Sequence, residues 1–396
     1  VNPAAWILAE REARASSRRP SRARADLDPW LLGAAAFLMA LGLVMVYSAS
    51  IAWAERSTGN GAHFVLRHAA HIALGLAAFV VTLRLRVRLW ERAGPALLLL
   101  GMVMLALVLI PGVGGQANGS ARWLKLGFFN LQPSELMKLF MVAYVAGYLV
   151  RKQETLGNFV QGIAMVSIVV AVVGLLLLME PDMGSAVVIS LVVLTMLFLG
   201  GVRFWHFATV VMVGIGGMVV LAMIEPYRMV RVTSFLDPWA DPFRSGFQLT
   251  QALIAFGRGE WLGVGLGASV QKLFYLYASH SDFVLAVIAE ELGLLGVTAV
   301  IAASAVIVTR AFAIARAAED AGQIYGARLA QGIGVLLGFQ AIVNMGVNMG
   351  ALPTKGLTLP FVSYGGSSMI VCCVALGLLA RIAREARANS WGEKPA

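Results

Sequence analysis

The stretch LYASHSDFVLAVIAEELG, residues 276–293, sets His280 and Asp282 at the lip of an apolar run and leaves Glu290 and Glu291 farther along it. A carboxylate at such a boundary can serve in two ways. Partly desolvated, it becomes a stronger base than its reference pKa of about 3.9 allows, which suits removing a proton from a bound hydroxyl. Left in water, it caps the helix that follows, because Asp is a favoured N-cap. Residue chemistry alone favours the cap. Glu290 is about 12 Å deeper at 1.5 Å per residue and turned about 80° from Asp282, with Glu291 on the opposite side. Acids at that depth are costly and face a polar cavity or a partner. One of the two is expected to be structural, held by Lys138 or by Asn344 and Asn348, which lie one turn apart.

The remaining chemistry-bearing residues form no familiar catalytic or metal motif. His63, His68 and His71 include one i, i+3 pair, but the only nearby carboxylate is Glu55, so packed or interfacial histidines are expected and no metal site. No Walker motif and no defensible Ser–His–Asp spacing occurs, and GVGLG is a weak dinucleotide signal without a preceding strand. Cys372 and Cys373 are adjacent in an apolar run and read as small apolar fillers.

The elements that must position these residues are membrane helices. The chain is 59% hydrophobic and 13% charged, with a mean hydropathy of +0.80, whereas a soluble domain is roughly a quarter charged. About ten apolar segments are long enough to span or nearly span a bilayer: 29–52, 64–83, 95–111, 135–150, 161–179, 184–200, 205–224, 283–309, 328–350 and 364–381. The expected fold is therefore an all-α polytopic membrane protein, with a 29–381 transmembrane domain between a basic, disordered tail (1–28) and a cytoplasmic tail (382–396). No signal peptide is expected, since no apolar core precedes Trp30.

The net charge of +10 sets topology rather than nucleic-acid binding. With the N-terminal tail inside, the same side receives Arg84, Arg86, Arg88, Arg92, Arg151, Lys152, Arg203, Arg310, Arg316, Arg328, Arg381, Arg384 and Arg387. Both termini are then cytoplasmic, and the segment 225–282 becomes a large extracytoplasmic loop between the seventh and eighth spans, carrying Asp282 outward.

Three segments on that outer side are richer than connectors require. In 112–138, glycines and Asn118 suit turns, Arg122, Trp123 and Lys125 suit anchoring at lipid headgroups, and Pro133 suits a helix start. Within 225–282, two Asp-Pro steps mark turns and a Gly-interrupted apolar stretch reads as interfacial or re-entrant. In 344–368, Pro353, Gly356, Pro360 and the Gly365-Gly366 pair forbid one continuous helix.

In order along the chain, GSARWLKLGFFNLQPSELMK, EPDMGSA, FLDPWADP, SHSDFVLAVIAEELG and PTKGLTLPFVSYGGSS resemble the SEDS family (shape, elongation, division and sporulation) of polytopic peptidoglycan glycosyltransferases, from Asp28 to Arg384. NMGVNMGALPTKGLTLP is similar to the cell-division branch. Where the family often has Leu-Pro-Glu-Ala before its His-Ser/Thr-Asp step, this chain has Leu276-Tyr277-Ala278-Ser279.

The resemblance implies ten membrane helices and polymerisation of lipid II into β-1,4-linked glycan outside the cytoplasmic (inner) membrane, at the division site. It places the essential carboxylate on Asp282 and implies a class B penicillin-binding protein as partner, alongside other division proteins and membrane lipids. One in-line displacement turns an α-linked donor into a β-linked product, so a single base suffices and no acid is needed for a diphosphate leaving group. Arg122, Trp123, Lys272 and Lys355 are the expected substrate-binding residues, with Arg231 a further cation; each cation could instead snorkel to headgroups. The sequence specifies no cofactor. A Mg²⁺ bridging the diphosphate is compatible with the reaction, though no dedicated cage is visible. A lipid II flippase and a non-catalytic division scaffold are the alternatives, and Glu290, Glu291 and Asp182 would suit transport.

Overall fold

The computed structural model describes residues 27–390, apart from 113, 118–119, 126–129, 225–233, 245, 274 and 278. Every expected span has a helix: α1 (Pro29–Thr58), α2 (His63–Arg84), α3 (Val87–Val108), α4 (Pro133–Arg151), α5 (Met165–Met179), α6 (Met183–Leu199), α7 (Phe204–Ile224), α9 (Val284–Asp320), α10 (Ile324–Asn348) and α11 (Gly366–Ser390). The additional helix α8 (Phe247–Gly259) lies within the expected long loop. Among the described residues, seven helices are long and apolar enough to cross a membrane on length and composition alone, among them α5 with the π-helical turn Val160–Ala164 that precedes it; Met183–Leu199 and Phe204–Gly214 are shorter apolar helices. The chain is a multi-pass helical membrane protein. α3 begins eight residues before the expected start at residue 95 and keeps Pro95 in its first turns. α9 and α11 run on to Asp320 and Ser390, past the expected ends at 309 and 381.

α4 is the centre of the bundle. Its buried face includes Met137, Leu139, Met141, Val142, Val145 and Ala146, and even Lys138 is buried, with its ammonium 2.8 Å from Glu135. A helix covered on nearly all sides is placed by packing rather than by its own hydropathy, which explains why the span with Glu135, Lys138 and Arg151 is still helical. Lys138 is thus spent on Glu135, not on the intramembrane acids of α9, contrary to the sequence expectation.

At one end of the bundle, Asp28 caps α1 by accepting from Leu31 N at 3.1 Å and accepts from Arg310 Nε of α9 at 2.9 Å. Arg381 pairs with Glu385 at 2.7 Å, and Glu385 accepts from Val87 N. This is the arginine-rich end. At the other end the connectors α3–α4, α5–α6, α8–α9 and α10–α11 bond to one another. The first of them folds into a small antiparallel sheet, order β1–β2–β3, from Gly114–Ala117, Ser120–Lys125 and Asn130–Leu131. The all-α expectation holds for the membrane domain and misses this sheet. A register shift between Gly115 and Gln116 bulges β1. Gln132 N donates to Ser367 Oγ at 2.9 Å, tying the sheet to the start of α11.

Candidate active site

Asp282 lies two residues before α9, and its main chain is held at three successive carbonyls. His280 O accepts from Tyr364 N at 3.0 Å, Ser281 O from Ser363 Oγ at 2.6 Å, and Asp282 O from both Asn344 Nδ2 and Asn348 Nδ2 at 2.9 Å. The Asn pair predicted to serve Glu290 or Glu291 therefore serves the aspartate instead, because α10 packs against the start of α9. Asn348 also supplies the helix cap: Ala286 N donates to its Oδ1 at 3.2 Å, while the N-cap residue Phe283 makes no side-chain cap bond. The carboxylate of Asp282 is consequently not spent on capping.

Three other segments surround that carboxylate. Gly356, in the α10–α11 connector, approaches so closely that an added Cβ would lie 3.1 Å from Asp282 Oδ2; any side chain would crowd the acid. Leu357 O accepts from Asn344 Nδ2, and the Leu357 side chain packs on Gly184 at the head of α6. Lys355 reaches Met183 Sδ at 3.0 Å. On β2, Arg122 is half-buried, donating from Nε to Glu180 O at 3.2 Å and from Nη2 to Pro181 O. Trp123 beside it is half-buried opposite Gly115 in the sheet. The EPDM turn thus gathers both cations.

The electrostatics follow from burial of several acids around one guanidinium. Burial lifts the Asp282 carboxyl to about 6; Arg122 opposes the rise, and Asp182 and Glu135 add to it. Glu180 is buried, neither carboxyl oxygen has a hydrogen-bond partner, and burial, then Asp182, raise it to about 8. A carboxyl in that state is neutral near pH 7, which spares the cluster one negative charge. Asp182 caps α6, accepting from Ser185 N at 3.2 Å. What results is a carboxylate of raised basicity beside a cationic rim, an arrangement that can take a proton and bind an anion.

The expected site residues separate here. Asp282, Arg122 and Lys355 converge on the EPDM turn, and Trp123 flanks Arg122. Lys272 does not join them: its ammonium donates to Glu291 Oε1 at 2.7 Å, Gly267 O at 2.7 Å and Ser48 Oγ at 2.9 Å, using all three donors in a buried cluster. It is a structural lysine. Arg231 lies outside the described residues. Sequence reasoning missed Glu180, although the EPDM run was in view, and Gly356, whose signal was a glycine next to the one charge of its turn. His280 packs between Phe64 and Tyr364, at centroid distances of 4.9 and 5.4 Å, and burial holds it near 4, so it is neutral. His68 and His71 stack near the same tyrosine. Among the described residues, no group of three or more His, Cys, Asp or Glu could hold a metal ion.

The family model described as "Cell cycle protein", which covers FtsW, RodA and SpoVE, matches residues 29–388. Among curated relatives, the "Probable peptidoglycan glycosyltransferase FtsW" of Nitrosococcus halophilus is 56% identical over 91% of this chain and 93% of its own. The one of Thioalkalivibrio sulfidiphilus is 54% identical over 88% and 87%. A chain of a solved peptidoglycan synthase complex that coordinates polymerization and crosslinking superposes with a TM-score of 0.74 at 29% identity, covering 91% of this chain and 98% of that one. The Thermus thermophilus rod shape determining protein RodA gives 0.66 at 27% identity, over 91% and 97%.

Proposed function

The chain belongs to the FtsW–RodA–SpoVE family and is a peptidoglycan glycosyltransferase, and we propose that Asp282 is the general base with which it polymerises lipid II on the outer face of the cytoplasmic membrane during division. The observation that carries this reading is the Asp282 carboxylate itself: fixed through its main chain, relieved of capping by Asn348, and raised in basicity by burial. The acceptor hydroxyl loses its proton to Asp282 as its oxygen attacks the anomeric carbon, and the bond to the diphosphate breaks on the opposite face. One inversion converts the α-linked donor into a β-1,4 link. The departing diphosphate needs no acid, but its growing charge needs cations aimed at it in advance. Arg122 and Lys355, which meet at the EPDM turn, are assigned this role, and Trp123 would offer an apolar wall to a sugar face.

A divalent ion would find Asp182 and Asp282 on the same rim, but no step above requires one. The long connector 225–282 ends at the aspartate, so a class B penicillin-binding transpeptidase touching it would act on the base directly. The arginine-rich end then faces the cytoplasm, in keeping with the positive-inside bias.

A base with a pKa of about 6 works only when ionised. The polymerisation rate is expected to fall about tenfold per pH unit below 6 and to level off above 7, read as kcat/KM from initial rates. The deciding experiment incubates purified protein and its transpeptidase partner with lipid II and resolves products on a gel. Glycan strands support the reading. Lipid II moved across vesicles with no strands formed would mean a flippase, and neither would mean a scaffold. Labelling that finds residue 282 on the cytoplasmic side overturns the orientation.

A further inference from the structure

α9 is interrupted three residues past Glu290, less than one turn on: Gly293 has φ 66° and ψ −162°, a conformation open only to glycine. In an unbroken helix the amides of Leu294 and Leu295 would donate to the carbonyls of Glu290 and Glu291, four residues back. Here a second strand of backbone is inserted into that ladder. Leu294 N donates to Glu260 O at 2.9 Å and Leu295 N to Trp261 O at 3.2 Å, while Val264 N donates to Glu290 O at 2.9 Å and Gly265 N to Glu291 O at 3.1 Å. Two helical bonds are replaced by four bonds to the segment that follows α8.

Such contact demands glycine. A Cβ on Gly259 would lie 1.8 Å from Ala289 O, one on Gly263 would lie 2.2 Å from Glu291 O, and one on Gly293 would lie 2.4 Å from Gly263 N. The Gly-interrupted run GRGEWLGVGLG is explained by this splice and not by a nucleotide. The two intramembrane acids lock the same junction. Glu290, fully buried, accepts from Ser269 Oγ at 2.5 Å, Val270 N at 3.0 Å, Gln271 N at 3.3 Å and Arg258 Nη1 at 3.3 Å. Glu291 pairs with Lys272 at 2.7 Å and accepts from Ser48 Oγ of α1 at 2.7 Å. Seven residues after Lys272, Ser279 Oγ donates to Ala49 O of α1 at 3.1 Å.

We propose that Glu290 and Glu291 are positioning residues for Asp282, binding the segment 258–272 to the outer half-helix 284–292 so that the two form one rigid carrier for the catalytic carboxylate. This rests on the assignment of Asp282 as base. Named bonds tie the carrier and the residues leading into it to the bundle on two sides: Ser48 to Lys272 and Glu291 and Ala49 to Ser279 on one, and Asn344 and Asn348 to Asp282, Ser363 to Ser281 and Tyr364 to His280 on the other. Both acids are therefore engaged by donors of this junction.

The test uses full-length protein with its partner, lipid II, and Asp282→Asn as the reference. Glu290→Gln, and separately the double variant Lys272→Met/Glu291→Gln, are expected to lower kcat tenfold or more, to leave KM for lipid II within threefold, and to displace the acid limb of the pH–rate profile. The double variant removes both charges together, which keeps the fold, since a buried pair replaced whole costs little compared with one stranded charge. In the wild-type protein the amide hydrogens of Val264 and Gly265 are expected to exchange as slowly as those in the middle of α10. Wild-type kcat and an unmoved acid limb in these variants, or exchange of those amides at loop rates, overturn the carrier. If instead Asp282→Asn polymerises normally, the base assignment fails and the splice stands as structure alone.

Discussion

Asp282→Asn is expected to reduce glycan polymerisation by about 10²–10⁴-fold, the range that a positioned general base contributes, with lipid II binding and detergent-state melting temperature nearly unchanged. The substitution is unusually clean here. Asn is isosteric, and the main-chain carbonyl of residue 282 keeps both amide donors, Asn344 and Asn348. The first turn of α9 keeps its cap because Asn348 provides it. Were residue 282 the cap, Asn would also preserve function, since Asn caps as well as Asp; the same variant therefore separates the two roles. Initial rates on lipid II, set beside direct lipid II binding, make the measurement. A variant within threefold of wild type would remove Asp282 from the chemistry.

How much of this could be read from the chain depends on whether a contact is local. Spans were legible because hydropathy is a property of each segment, and helix ends missed by several residues where Pro95 sits inside α3 or where α9 continues beyond the apolar stretch. Asp282 was visible as a carboxylate at an apolar lip, but its freedom from capping was not, because the cap comes from a residue 66 positions away. The intramembrane acids were recognised as needing partners, and the partners named were wrong. Lys138 finds Glu135 three residues before it, and the asparagines turn to the Asp282 carbonyl. The true partners lie in the segment after α8, whose glycines carried the signal without stating what they approached. Lys272 illustrates the converse: a cation beside a reactive loop looks free until its acid, Glu291, folds onto it from the next helix. The β-sheet was hidden because its short strands are bounded by glycines and read as a turn-rich loop.

Arg122→Ala is expected to have the second largest effect, lowering kcat by about 10²–10³-fold, as loss of one preorganised charge stabiliser does, and moving the acid limb of the pH–rate profile upward from about 6. The direction is set by the surroundings. Arg122, ahead of a hydrogen bond from Ser281, holds the Asp282 carboxyl down against burial, Asp182 and Glu135; without it the carboxyl takes up its proton at higher pH and is less often ionised at pH 7. The guanidinium also opposes the rise at Glu180 and bonds the Glu180 and Pro181 carbonyls, so removing it loosens the EPDM turn that meets Lys355. Arg122→Lys tests which part matters. A lysine keeps the positive charge but cannot reproduce the two-pronged contact with adjacent carbonyls, so it is expected to return the acid limb toward 6 while kcat stays well below wild type. Profiles for the three proteins, measured over pH 5–8 on lipid II, decide between them. An Arg122→Ala profile with its limb unmoved and its plateau intact would mean that the guanidinium serves only the turn, and the diphosphate would then have to be met by Lys355 without it.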